Sequence, residues 1–168
     1  MKGFSEEYIE ETINRIDALT DEAYEKALLS LSKRQPYLYS FGETMIEIDE
    51  NPEFLSAVFH YFHLIDSLFS AKEGELPVIS SEMIKEIFSR HDKMIADHIS
   101  DDGTFDDSFY ESMEKHPYSA LLFALMDEVF FEGAEYDDNT AALATQLFLY
   151  IMFLVDVYSM AYEKKNRK

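Results

Sequence analysis

Leu147-Phe148-Leu149-Tyr150-Ile151-Met152-Phe153-Leu154-Val155 is the most apolar run in the chain, and its reading decides the fold. It lies inside a helical pattern covering residues 138–163. On a wheel of about 100° per residue, Asp138, Thr145, Asp156, Ser159 and Glu163 gather within about 60° of one another. A helix that is apolar nearly all round, with one narrow polar stripe, is expected to be surrounded by other helices and to reach water or a polar partner along that stripe. Nine apolar residues fall short of the roughly twenty that a membrane span requires. Extending the run takes in Thr145, Gln146, Asp156 and Ser159, and a charge such as Asp156 in a bilayer costs several kcal/mol. The rival to a core helix is a C-terminal membrane anchor followed by the basic tail Lys164, Lys165, Arg167 and Lys168. The core helix is the reading adopted.

Composition sets the outer bounds. A chain of 168 residues that is 47% apolar is long enough for one domain with a sizeable core. Acidic residues number 34 against 14 basic, a net charge of −20. Four of the bases sit in residues 164–168, which leaves 10 bases against 34 acids in residues 1–163. Neither 35–71 nor 117–162 contains a Lys or Arg. Such a surface repels nucleic-acid phosphates, which need clustered bases for affinity. It favours basic proteins or divalent cations, or it serves solubility. The absence of cysteine excludes disulfide scaffolds and thiolate metal sites. MKGFSEEYIEE has no apolar core of a signal peptide, and together these features point to the cytoplasm.

The pattern divides the remainder into helices. Ser5 and Thr20 are placed to cap helices over 4–19 and 20–34, each with acids in its first turn. Pro36 breaks the chain there, and a further helix over 37–49 carries Gly42, which weakens it. Asn51-Pro52-Glu53 starts a helix over 52–71. Gly74 and Pro77 mark a loop, after which Ser80 or Ser81 caps a helix to about Ile99. Asp101, Asp102, Asp106 and Asp107 turn the chain into a short helix over 105–115, with Thr104 and Asp107 spaced as a capping box. Pro117 opens a helix to Phe131, Gly133 ends it, and Asp137 and Asp138 open the last one.

Candidate ligands for a metal are His60, His63, His91, Asp127 and Asp156. His60 and His63 share one side of helix 52–71 with Asp66, a spacing that suits metal ligation. The same side also carries Glu53, Ser56, Ser67 and Ser70 opposite a Phe-rich face, which reads as a solvated stripe. His91 and His98 lie instead on the apolar stripe of helix 81–99, where an imidazole needs a partner. A carboxylate such as Asp127, Glu128 or Asp156, or a bound ion, would supply one. Seven residues separate the two histidines, about 10.5 Å of helix axis, so at most one joins a given site. His91-Asp92 spells the dipeptide of the HD-type metal phosphohydrolases. The surrounding FSRHDKM lacks the usual apolar lead-in and small following residues, so no membership is claimed. Taking Gly103 as the sixth position of a calcium loop would require His98 and Phe109 as its first and twelfth residues, which cannot serve.

No Glu-x-x-His, His-Glu-x-x-His, glycine-rich phosphate loop or G-x-S-x-G occurs in the chain. The expectation is therefore an all-α, single-domain bundle of seven to eight helices (residues 1–163, with 164–168 as a basic tail). Helices 117–131 and 52–71 should cover its buried C-terminal helix. Its expected function is non-enzymatic binding of a basic protein partner, without nucleic acid, membrane or cofactor. Two alternatives stand beside this. One is a divalent-metal site built from the His and Asp residues above, with hydrolytic activity. The other is a pocket for an apolar small molecule, since aromatic and Met side chains can line an adaptable cavity.

Overall fold

The computed structural model describes residues 3–48, 52–73, 76–100, 104–131 and 138–166. These form eight helices: α1 (Glu6–Asp17), α2 (Asp21–Arg34), α3 (Pro36–Ile48), α4 (Pro52–Glu73), α5 (Ser81–His98), α6 (Asp107–Lys115), α7 (Ser119–Phe131) and α8 (Asp138–Asn166). Among the described residues there is no strand, only an isolated antiparallel bridge between Ile99 and Phe105. The signals at Asn51, Gly74, Gly133 and Asp137, and the acidic loop Asp101-Asp102-Gly103, fall outside the described residues.

Local chemistry explains most helix starts. Ser5, Thr20 and Ser80 each accept a hydrogen bond from the backbone N–H three residues on, which satisfies one donor that the first turn leaves open. The short helix α6 differs from expectation. Its cap is Asp106, whose carboxylate accepts from the Phe109 N–H at 2.8 Å, and not the Thr104/Asp107 pair. Thr104 instead bonds Ser100, whose hydroxyl donates to the Thr104 carbonyl at 3.0 Å. Helix α7 begins at Ser119, two residues after Pro117.

Helix α8 is the hub. Phe148, Ile151, Leu154, Val155, Val157 and Tyr158 are all fully buried, and α4, α7 and α5 pack against them. The expected covering helices are there, with α5 in addition. The helix also runs three residues past its expected end, to Asn166, so Lys164 and Lys165 belong to it. Leu143–Lys165 is long enough to cross a membrane, and its most apolar 18-residue window has mean hydropathy 1.6. The count of nine uninterrupted residues therefore understates it. Within the protein, however, 61% of that window is buried by the chain's own helices.

Gly42 has a packing role inside α3. A Cβ there would stand 3.2 Å from the Tyr150 hydroxyl of α8 and 3.7 Å from Phe59 of α4, so the missing side chain leaves room for the Tyr150 ring's hydroxyl end. Gln35, between α2 and α3, is 1% exposed and clamps the segment ahead of α5. Its amide Nε2 donates to the Pro77 carbonyl at 3.2 Å, and its Oε1 accepts from the Ile79 N–H at 2.8 Å. Gln35→Ala removes both bonds and leaves the buried Ile79 N–H unsatisfied. The expected loss is about 1–3 kcal/mol in urea unfolding, with an unchanged slope.

The solvated stripe expected on α4 does not persist along the helix. Ser56 is exposed, but His63 and Asp66 are 7% and 3% exposed. Helix α2 covers this side: Tyr24 meets the His63 ring at 5.5 Å and the half-buried His60 ring at 6.5 Å. Arg34 pairs with Asp66 through both guanidinium nitrogens, at 3.0 and 3.3 Å. With α1, α2 and α3 packed against it as well as α8, α4 is enclosed on more than the Phe-rich face that marks it in the sequence.

Candidate functional site

The polar stripe of α8 opens into a cleft of about 270 Å³ between α5, the α6–α7 junction and α8. Asp156, Ser159 and Glu163 come from the stripe, His91 and Arg90 from α5, and His116 from the junction. At its centre Asp156 bridges two imidazoles. His91 Nε2 lies 2.7 Å from one carboxylate oxygen and His116 Nε2 lies 2.6 Å from the other. The sequence left three carboxylates open as a partner for His91, and the fold selects Asp156. His98 takes a different partner, the exposed Asp106, at 3.2 Å.

The second nitrogen of His116 defines its tautomer. Nδ1 accepts a hydrogen bond from the Tyr118 N–H at 3.0 Å, so it carries no proton, and Nε2–H donates to Asp156. The Nδ1 of His91 is buried without a partner. A proton placed there would be a buried unsatisfied donor, so His91 too donates through Nε2. Neither imidazole presents a free lone pair to the cleft, and among the described residues Ser159 has no base bonded to it. The geometry gives the three residues a fastening role: one carboxylate ties α8 to α5 and to the end of α6.

That arrangement bears on the metal residues. A histidine ligating through Nε2 normally donates Nδ1–H to an acceptor. At His116 the neighbour of Nδ1 is itself a donor, which opposes ligation through Nε2. His60 and His63 stand beside Tyr24 under α2, and Asp127 is exposed on α7 facing α1. Of the five residues singled out, the structure joins only His91 and Asp156. No group of three His, Cys, Asp or Glu among the described residues is placed to hold an ion. Asp92, the partner of His91 in the dipeptide, is exposed while His91 is buried. Sequence reasoning missed His116. It stands at a helix junction, where helical periodicity carries no information about what a side chain faces.

Burial pushes the Asp156 carboxyl up, but the hydrogen bonds it accepts from His116 and His91 outweigh it and bring the pKa down to about 2 from 3.8. A depressed carboxylate stabilises the fold fully above its unfolded pKa and loses that contribution as pH falls through the folded one. The window here is therefore between about pH 4 and pH 2. Across it, urea unfolding of the wild type should lose on the order of 1–2 kcal/mol more than that of Asp156→Asn, which has no charge to protonate. Parallel pH dependences for the two proteins would contradict the assignment.

Two grooves lie elsewhere on the surface. Between α1 and α7, a trough of about 520 Å³ has Ile9, Ile13 and Phe123 along it, with the exposed carboxylate residues Glu6, Glu10 and Asp127. Between α3 and α5, a trough of about 480 Å³ is lined by Tyr37, Phe41, Ile84 and Phe88, with Lys85 the one charged residue among the described ones. Tyr37 is 53% and Phe88 44% exposed, which is unusual for rings of that size. No protein-family model matches the chain, and neither a curated protein nor a solved structure matches it.

Proposed function

We propose that the protein is a non-enzymatic, cytoplasmic binding protein whose partner presents a basic protein surface. The observation that carries this is the run of exposed carboxylates on α1 and the first half of α2. Glu6, Glu7, Glu10, Glu11, Asp17, Asp21, Glu22 and Glu25 all face solvent, and Arg15 is the one base between the first and last of them. The opposite side of α1 is committed to the core through Ile9, Thr12 and Ile16. A field of one sign steers basic partners and repels acidic ones. The tied-up imidazoles of the Asp156 cleft, with no lone pair aimed at a reactant, add nothing for an enzyme.

The test is titration of basic and acidic peptides into the protein, followed by amide chemical shifts. Basic peptides should perturb α1 and α2 and still bind at about 0.15 M salt, where exposed charges further apart than about 8 Å are screened. Binding that vanishes at that salt overturns the reading. So does catalytic turnover by the pure protein that His91→Ala abolishes.

A second reading, of an apolar small-molecule site, is favoured by the exposed rings of the α3/α5 groove. A compound that raises the melting temperature of the wild type but not of Phe88→Ala would support it.

A further inference from the structure

We infer that the α1/α7 groove is where the partner docks, and that it takes a short amphipathic helix with Lys or Arg flanking an apolar face. The inference rests on the basic-partner reading above and gives it a place and a shape.

The groove owes its form to side-chain sizes. Ala120 and Ala124, one turn apart on α7, are both exposed, so their small side chains leave a trough beside the half-buried Phe123. The half-buried Ile13 forms its α1 side, one turn on from Ile9, which is packed into the core. Carboxylates stand on both walls: Glu6 and Glu10 on α1, and Asp127 on α7. Among the described residues no basic one lines the groove. An apolar floor between two acidic walls matches a helix that is apolar along one stripe and basic on both flanks, and it disfavours an acidic helix. From Glu6 to Ile13 is seven residues, about 10.5 Å, and an occupant's anchors at i, i+4 and i+7 span the same length. An extended strand fits poorly, because backbone groups inside α1 and α7 are already spent in their own helices and offer no ladder.

The experiment uses the full chain and two peptides of identical composition. Both carry Leu and Lys; one places Leu on a single helical stripe and the other scatters it round the helix. The amphipathic peptide should bind, with amide shifts centred on Ile9, Ile13, Phe123 and Ala124, and the scattered peptide at least about tenfold more weakly. Charge reversal at exposed positions, Glu10→Lys with Asp127→Lys, should weaken the amphipathic peptide by about tenfold or more while the helical circular dichroism is unchanged. If both peptides bind equally and shift α1 and α2 broadly, the groove is not the seat, although the basic-partner reading stands. If neither peptide binds, both readings fall. Shifts at the same amides that grow with protein concentration alone would show that a second copy occupies the groove, and would overturn the inference.

Discussion

Asp66→Ala is expected to lower the unfolding free energy by about 3–5 kcal/mol, a large share of the 5–15 kcal/mol typical of a folded domain. The Asp66 side chain is 4% exposed and holds three donors. Arg34 of α2 donates twice, at 3.0 and 3.3 Å, and the Tyr158 hydroxyl of α8 donates to Oδ1 at 2.7 Å. Burial first, and then the Asp66 charge, push the Tyr158 phenol well above its ordinary pKa, so its proton stays in place to donate. Removing the carboxylate takes the counter-charge from a largely covered guanidinium and the acceptor from a buried hydroxyl together, which is why the cost exceeds that of an exposed ion pair. Replacing the network with apolar groups of similar size, as Asp66→Leu with Arg34→Met and Tyr158→Phe, should cost less than Asp66→Ala alone. Urea unfolding of the variants measures both claims. A loss below about 1 kcal/mol for Asp66→Ala would mean that the triad contributes no more than a surface pair.

The same residues show what the sequence could reveal. The eight helices were legible because capping residues, prolines and the 3.6-residue period are local signals, and each acts within a turn or two of where it is written. Ser5, Thr20 and Ser80 cap as their positions imply. The hub was legible from composition, since a helix apolar all round has no stable place except among other helices or in lipid. Sidedness was harder. On α4 the Ser and His positions read as solvent-facing because a wheel shows polarity and not neighbours; α2, which covers His63 and Asp66, is set by tertiary packing. His91 was a recognisable problem, a titratable ring on an apolar stripe, and Asp156 a reasonable answer. The second imidazole was not legible, because His116 sits where the chain turns and no periodicity applies. The grooves were invisible for a related reason: each is made by two helices far apart in sequence, and neither helix alone shows a trough.

Phe148→Ala tests the hub itself and should cost about 3–5 kcal/mol, the range for deleting a buried aromatic ring that its surroundings cannot fill. Phe148 is 0% exposed, with Phe130 of α7 at 6.0 Å and Phe105 ahead of α6 at 6.2 Å between ring centroids. Those neighbours belong to different elements, so the void cannot close by a single side chain relaxing. Phe148→Leu, which keeps much of the volume, should cost about 1 kcal/mol or slightly more. Phe88→Ala, at a ring 44% exposed on the α3/α5 groove, should cost less than either, since less of its surface leaves water on folding. Unfolding free energies measured in aqueous buffer should therefore rank Phe148→Ala, Phe148→Leu and Phe88→Ala in decreasing order of damage. This order depends on α8 being enclosed by its own chain. Were α8 instead seated in lipid or bare in solution, Phe148 would have no packed surroundings to lose, and its truncation would cost no more than that of Phe88.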